Sequence, residues 1–336
     1  MTVLIAGGAG FIGLHVVNLF IERGHDVVVM DYINANSIVN AVNQKARLVK
    51  VNFTNPKLLA DILLNYDVNI VIDLTTESSY LHMASSQENS GFVDTNLSGF
   101  ANAIQTIFLY WNGLTEVQKR RFVYLRTFPV DIFDPGEFGS KIGCQSLIKP
   151  SSVYGAVLAF KFHAIKAWHE SFGFPAIAMI TPSIYGPYQT NLASLVPSVM
   201  YNAFRECSIT IRGDGKHVRN WLYISDHCDA MYLAITRGKA GSTYFVSPSN
   251  TYYTIDIVHK ICSIMDELIP RENKQLYADL IKFVSYEQDQ HSWRVCDDLV
   301  SKQQIGFIAN HDISSGLRKT VEWFLSVKQS ENIKIN

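Results

Sequence analysis

A chain of 336 residues is long enough to bury a full hydrophobic core, as one large two-part domain or as two small ones. Its formal net charge of −1, without a basic run, offers nucleic acid nothing to hold, and no apolar run is long enough to span a bilayer. Five scattered cysteines, Cys144, Cys207, Cys228, Cys262 and Cys296, have no paired spacing, which argues against a metal cluster or a disulfide framework. A core strand starting at Val3 leaves no room for a signal peptide, so a cytoplasmic protein is expected.

Val3-Leu4-Ile5-Ala6 is an apolar run of strand length, and Gly7-Gly8-Ala9-Gly10-Phe11-Ile12-Gly13 follows at once. Gly7, Gly10 and Gly13 are spaced three apart. A helical pattern of Leu14, Val17, Leu19, Phe20 and Ile21 then runs to Gly24, and Val27–Met30 reads as a second strand ending in Asp31. Strand, glycine turn, helix, strand and acid in this order form a dinucleotide-binding fingerprint. Glycines let the backbone turn tightly and approach a pyrophosphate, to which the helix N-terminus offers free N–H groups and partial positive charge. Asp31, 18 residues beyond Gly13, is placed to accept ribose hydroxyls and repel a 2′-phosphate, which favours NAD over NADP.

Further strands are predicted at Arg47–Val51, Asn69–Leu74, Arg121–Arg126 and Ala176–Thr181, with helices at Pro56–Asn65 and Asn96–Trp111 between them. Such alternation builds a parallel sheet covered on both faces. After Pro182 the texture changes, with turn-rich Tyr185–Gln189 and Arg212–Gly215, short strands at Trp221–Ile224 and Thr243–Val246, and helices at Ile255–Leu268 and Ile313–Val327. The expected fold class is α/β: a Rossmann-type doubly wound parallel sheet with a small C-terminal α/β substrate domain. Residues 1–180 make the first domain and 181–336 the second, with part of 226–250 returning to the first. His217, His227 and His291 form no triad or metal-ligand set and are expected at solvated or capping positions.

The second half carries Tyr185-Gly186-Pro187-Tyr188-Gln189, then Leu195-Val196-Pro197, then Gly213-Asp214-Gly215-Lys216-His217-Val218-Arg219-Asn220-Trp221-Leu222-Tyr223-Ile224-Ser225-Asp226-His227. Gly241-Ser242-Thr243-Tyr244 and Gly316–Leu325 follow in order. With the N-terminal fingerprint, this series resembles the extended short-chain dehydrogenases, and within them the dTDP-glucose 4,6-dehydratases. The resemblance implies tightly bound NAD in residues 1–180 and a nucleotide diphosphate-sugar, dTDP- or UDP-linked, held by 181–336. It places Phe11, Ile12, Asn52, Phe53, Leu74, Thr75, Thr76 and Tyr154 beside the cofactor, and Glu77, Ser183, Arg219 and Arg294 beside the sugar nucleotide. It also implies a homodimer through the helices starting near Asn96 and Tyr154, whose apolar residues include Phe100, Ile104, Ile107, Val157, Phe160 and Ile165.

By the same resemblance, hydride leaves sugar C4 for NAD, helped by a Tyr base in a Y-x-x-x-K pair, and an Asp-Glu pair then drives loss of water. Tyr154 stands at the Tyr position, but four residues on the chain has Leu158, and the Thr-Asp-Glu motif reads Thr127-Phe128-Pro129. Thr127 is either a partner for the sugar O4 or an ordinary strand-end hydroxyl. Lys161, seven residues after Tyr154, lies on nearly the same helix face as the missing lysine and leans back toward the Tyr turn, so it is a candidate replacement. Two functions stay open. One is NAD-dependent nucleotide-sugar chemistry with hydride transfer at C4, using Tyr154, Thr127 and Lys161. The other is a catalytically impaired protein that keeps NAD, and a nucleotide sugar, as structural or regulatory ligands.

Overall fold

The computed structural model describes residues 1–32, 38–75, 92, 94–137, 139–285 and 293–330. The chain begins with β1 (Thr2–Ala6), α1 (Phe11–Glu22), β2 (Asp26–Asp31), β3 (Arg47–Lys50), α2 (Pro56–Asn65) and β4 (Val68–Asp73). A π-helical turn at Asp94–Gly99 leads into α3 (Phe100–Gly113), and α4 (Glu116–Lys119), β5 (Val123–Pro129), α5 (Val153–Phe172) and β6 (Ala176–Thr181) follow. Next come β7 (Ser183–Tyr185), α6 (Leu195–Phe204), β8 (Ile209–Arg212), β9 (Val218–Arg219), β10 (Trp221–Tyr223), α7 (Ile224–Arg237) and β11 (Thr243–Phe245). The chain then forms β12 (Tyr252–Tyr253), α8 (Thr254–Leu268), β13 (Ile281–Val284), β14 (Trp293–Arg294), α9 (Leu299–Ile305) and α10 (Ile313–Ser330). None of the described helices is long and apolar enough to cross a membrane.

Seven strands form one parallel sheet in the order β11-β6-β5-β4-β1-β2-β3, a Rossmann-type α/β fold. Strand side chains alternate between faces, and both faces are apolar because helices cover both. Val3, Ile5, Val27, Val29, Ile70 and Ile72 pack with Val17 and Phe20 of α1 and Met231 of α7. Leu4, Val28, Met30 and Val71 pack with Leu59 of α2, Ile104 of α3 and Phe162 of α5. The edge strand β11 comes from the second half of the chain and lies beside β6. The rest of the second half builds three small sheets: β7 with β10, β8 with β13, and β9 between β12 and β14.

Two elements differ from their sequence expectation. The fifth strand starts at Val123 because Arg121 and Phe122 still close the turn after α4, donating their N–H groups to Gln118 and Lys119. It runs on to Pro129, opposite Thr181, so Thr127 lies inside the strand and not beyond it. The helix expected from Asn96 is wound as a π-turn up to Gly99. There the Asn96 side chain is buried, donates from Nδ2 to the Phe92 carbonyl (3.1 Å) and accepts from Lys161. π-turns of this kind concentrate at functional sites.

One polar cluster interrupts the core. Asp73 at the end of β4 and Arg126 in β5 form a buried ion pair across adjacent strands. Asp73 also accepts from the Tyr124 hydroxyl (2.8 Å), the Thr75 hydroxyl (2.6 Å) and the Thr75 amide (2.9 Å), while Arg126 donates to the Thr75 carbonyl (2.6 Å). Burial pushes the Asp73 carboxyl up, but Arg126, Thr75 and Lys161 outweigh it and hold it below its ordinary value. Lys161 of α5 closes the cluster: Nζ donates to Asn96 Oδ1 at 2.7 Å and sits 5.5 Å from the centre of the Phe100 ring. Its side chain is 2% exposed, so it is no surface lysine. Burial, and Arg126 next, bring its pKa down to about 7, against the opposing pull of Asp73.

The sign of the pH effect follows. Between pH 7 and 10 the unfolded chain holds a proton on Lys161 that the folded chain has lost, so this residue's contribution to stability rises with pH across that window. Each pH unit of pKa displacement corresponds to roughly 1.4 kcal/mol, and the Asn96 oxygen left without a donor in a Lys161→Met variant costs back about 1 kcal/mol. The stability of Lys161→Met relative to wild type should therefore be greatest near pH 6 and fall by about 2–4 kcal/mol toward pH 10. Urea unfolding at several pH values measures this; a difference that does not change with pH contradicts the buried-lysine geometry.

Candidate functional site

The glycine turn is built as a cradle. Gly7 has φ +80° and donates its N–H to Met30, which pins the turn to β2. A Cβ on Gly13 would lie 2.3 Å from the Gly7 carbonyl oxygen and 2.5 Å from the Gly8 Cα, so helix and turn pack this closely only through a glycine. Gly10 is different: among the described residues a Cβ there meets only the Gly7 oxygen, at 3.4 Å. Gly10 caps α1 without any side-chain hydrogen bond, and the first turn holds no acid. The N–H groups of Phe11, Ile12 and Gly13 belong to that first turn, where an anion is the natural partner. Asp31 stands at the end of β2, half-buried, with Oδ2 accepting the Ala9 N–H at 2.8 Å. Burial raises its pKa, and hydrogen bonds from the Ala9 and Tyr32 amides oppose the rise.

The other residues expected around a cofactor divide. Leu74 donates its N–H to Ala6, beside Gly7, and Thr75 is committed to Asp73. Asn52 Oδ1 accepts from the Thr54 amide (2.9 Å) and hydroxyl (2.8 Å), so that oxygen holds its own turn together. Phe53 is 4% exposed and part of the core behind β1 and β2. Thr76 and Glu77 lie outside the described residues. Together Gly10, the uncapped helix and the strand-end carboxylate fit an ADP-ribose-type dinucleotide.

Tyr154 sits in the first turn of α5, where Ser152 accepts the Gly155 N–H as the cap (3.0 Å). Burial raises the phenol's pKa, Arg126 pulls it down and Asp131 pushes it up. Leu158 is 2% exposed in the core, one turn on. Lys161, the expected replacement cation, reaches Asn96 and the Arg126 side of the cluster. Thr127 is half-buried in β5. Phe128 points into the core and stacks edge-on against Phe162, 5.4 Å between centres, and Pro129 ends the strand. Neither can exchange a proton.

The two candidate phosphate arginines do come together, but on a protein group. Arg219 and Arg294 are register partners on adjacent strands β9 and β14. Arg219 Nη1 lies 3.3 Å, and Arg294 Nε 3.4 Å, from Oδ1 of Asp131, just beyond β5. Ser183 is half-buried in β7. Sequence reading missed Asp73, Asn96, Arg126 and Asp131. The available signal was an acid and an arginine at apolar strand ends, Val68-Asn69-Ile70-Val71-Ile72-Asp73 and Val123-Tyr124-Leu125-Arg126. His227 was also misread: it is fully buried, and burial lowers its pKa to about 3, so it is a neutral core residue and not a solvated one. His291 lies outside the described residues. The described residues hold no group of three His, Cys, Asp or Glu side chains suited to a metal ion.

The sequence matches the model of the NAD dependent epimerase/dehydratase family over residues 3–247. It is 32% identical to a dTDP-glucose 4,6-dehydratase of Escherichia coli, covering 99% of this chain and 96% of that protein. It is 30% identical to the dTDP-glucose 4,6-dehydratase of Salmonella typhimurium, covering 99% and 95%. The fold matches the Bacillus anthracis dTDP-glucose 4,6-dehydratase in complex with NAD, with a TM-score of 0.83 at 21% identity over 98% of both chains. It matches the Thermotoga maritima UDP-glucose 4-epimerase with UDP-glucose equally, with a TM-score of 0.83 at 20% identity over 98% of this chain and 100% of that one. The chain therefore belongs to the NAD-dependent epimerase/dehydratase family.

Proposed function

We propose that this protein binds NAD and a dTDP- or UDP-linked sugar and acts at the C4 hydroxyl of that sugar. Residues 1–180 carry the cofactor and 181–336 the nucleotide sugar. The observation that carries the reading is the cradle of Gly7, Gly10, Gly13 and Asp31, kept whole in a chain that belongs to this family from end to end. NAD, when bound, supplies a hydride acceptor. Phe11, Ile12 and Gly13 N–H groups hold its pyrophosphate, and the Asp31 carboxylate takes the ribose hydroxyls. Tyr154 is the group to receive the proton of the sugar 4-hydroxyl, with Thr127 orienting that hydroxyl. Burial keeps the Tyr154 phenol protonated, so it needs a cation; Arg126 already opposes the rise, and Lys161 behind it changes charge near neutral pH. Arg219 and Arg294 are the diphosphate ligands.

Loss of water from the sugar has no carboxylate pair after Thr127 to drive it, because Phe128 and Pro129 stand at those positions. Each such group contributes about 10²–10⁴-fold in rate. A second reading, ligand binding without turnover, is favoured by one observation: Leu158 is packed in the core and Lys161 is held by Asn96. The subunits pair through the outer sides of α3 and α5. Phe100, Ile104, Ile107, Val157 and Ile165 are used up inside the chain, which leaves Leu109, Phe160 and Phe172 exposed for contact.

Four results are expected. Titration should give NAD at least about tenfold tighter than NADP, and Asp31→Ser should narrow the gap. Gly10→Ala should melt like wild type yet lose NAD, whereas Gly13→Ala should be destabilised by a few kcal/mol through overpacking. With dTDP-glucose, 4-keto-6-deoxy product should not appear at the turnover rates of a few per second that are ordinary for enzymes. Reduction of NAD by candidate nucleotide sugars, followed at 340 nm as an ordinary assay wavelength, should vanish in Tyr154→Phe; no reduction by wild type with any dTDP- or UDP-sugar that binds favours the second reading.

A further inference from the structure

Asp131 lies in the short turn that leaves β5, between Val130 and Ile132, which are 2% and 0% exposed. Its backbone is thus fixed by the core while its side chain is 55% exposed. A single oxygen, Oδ1, takes both Arg219 Nη1 (3.3 Å) and Arg294 Nε (3.4 Å). These separations exceed the ~2.7–2.9 Å of a tight charge-assisted bond, so the carboxylate is attracted without being locked.

The arginines themselves are rigidly mounted. They are paired in register on β9 and β14. Arg294 Nη1 also donates to the Phe133 carbonyl at 3.3 Å. Next to Arg219, at the end of β9, the buried Asn220 donates to the Pro248 and Asn250 carbonyls (3.0 Å each) and accepts the Cys296 N–H (3.0 Å). Two preorganised guanidiniums side by side are suited to an oxyanion with several oxygens, which can offer each a bidentate contact where one carboxylate oxygen offers each a single contact.

We propose that Asp131 is a built-in competitor for this anion site: its carboxylate pairs with both arginines and must swing into solvent for a diphosphate to take them. It is therefore a specificity residue, which weakens diphosphate binding and admits only ligands whose remaining contacts make up the difference. This rests on the reading of Arg219 and Arg294 as diphosphate ligands. The exposed side chain has room to rotate, and displacement leaves it in water, where a free carboxylate is well solvated. The remaining burden is repulsion between the displaced carboxylate and the phosphates, which the uncharged variant removes.

The test is calorimetric titration of wild type, Asp131→Asn, Asp131→Ala and Arg219→Gln with UDP, dTDP and uridine, each protein first shown to melt normally and to bind NAD. Both Asp131 variants should bind UDP and dTDP about tenfold or more tighter than wild type, with uridine affinity unchanged, and Arg219→Gln should lose the diphosphates. If wild type and Arg219→Gln behave as stated but the Asp131 variants bind diphosphates no tighter, the competitor role is overturned while the arginine site stands. If Arg219→Gln binds diphosphates as wild type does, or no protein binds them at all, the arginine site is overturned and the competitor role falls with it.

Discussion

The ion pair between Asp73 and Arg126 is the constraint around which the site is arranged. Two charges with almost no exposure survive inside a protein only when each is paired and hydrogen-bonded on its remaining positions. Here Tyr124 and Thr75 supply hydrogen bonds to the pair, Lys161 adds its charge beside Asp73, and Asn96 holds Lys161 in place. The cluster thereby fixes the ends of β4 and β5 against each other and ties both to α5 and to the π-turn before α3. Removing one partner would leave a buried charge uncompensated, which is far more costly than the pair is stabilising. The β5 turn that carries Asp131 and the α5 turn that carries Tyr154 both hang from this frame.

The two halves of the site differ in chemistry. On the cofactor side most of the cradle is set by backbone: a left-handed Gly7, a Gly13 that allows contact, Gly10 and an uncapped helix end, with the Asp31 carboxylate as the side-chain contribution. Around Tyr154 the chain carries Phe128, Pro129 and Leu158 where the family resemblance calls for an acid, a base and a lysine. Phe128 and Leu158 are not idle there; they fill the core with Phe162 between β5 and α5. What polarity remains near Tyr154 comes from the Arg126 cluster below and Asp131 beside it, which act on the phenol in opposite directions.

Much of the fold was legible because it rests on local and periodic signals. Alternating apolar strands and a glycine trio announce a parallel sheet and its crossover; α2 and β6 fall on the expected residues, helped by Asn55, which caps α2 by accepting the Leu58 N–H, and by the buried Ala176–Thr181 run. The fifth strand was read two residues early, since nothing in Arg121-Phe122 marks the end of the preceding turn. The candidate residues Tyr154, Arg219 and Arg294 were found by motif position, but their partners were not. Asp131 and Arg126 carry no motif, and their meaning depends on which strands lie next to β5.

The sequence by itself determined the sheet, the glycine cradle and the apolar Phe128, Pro129 and Leu158 near Thr127 and Tyr154, because each is a matter of residue type at a fixed local spacing. Only the tertiary structure decided that Lys161 is buried against Asn96, that Asp73 and Arg126 neutralise each other, and that Arg219 and Arg294 converge on Asp131. Those contacts join residues that lie far apart along the chain, 65 positions for Asn96 and Lys161 and 163 for Asp131 and Arg294. The charge state of a side chain depends on what surrounds it in space, and spacing along the chain does not encode that.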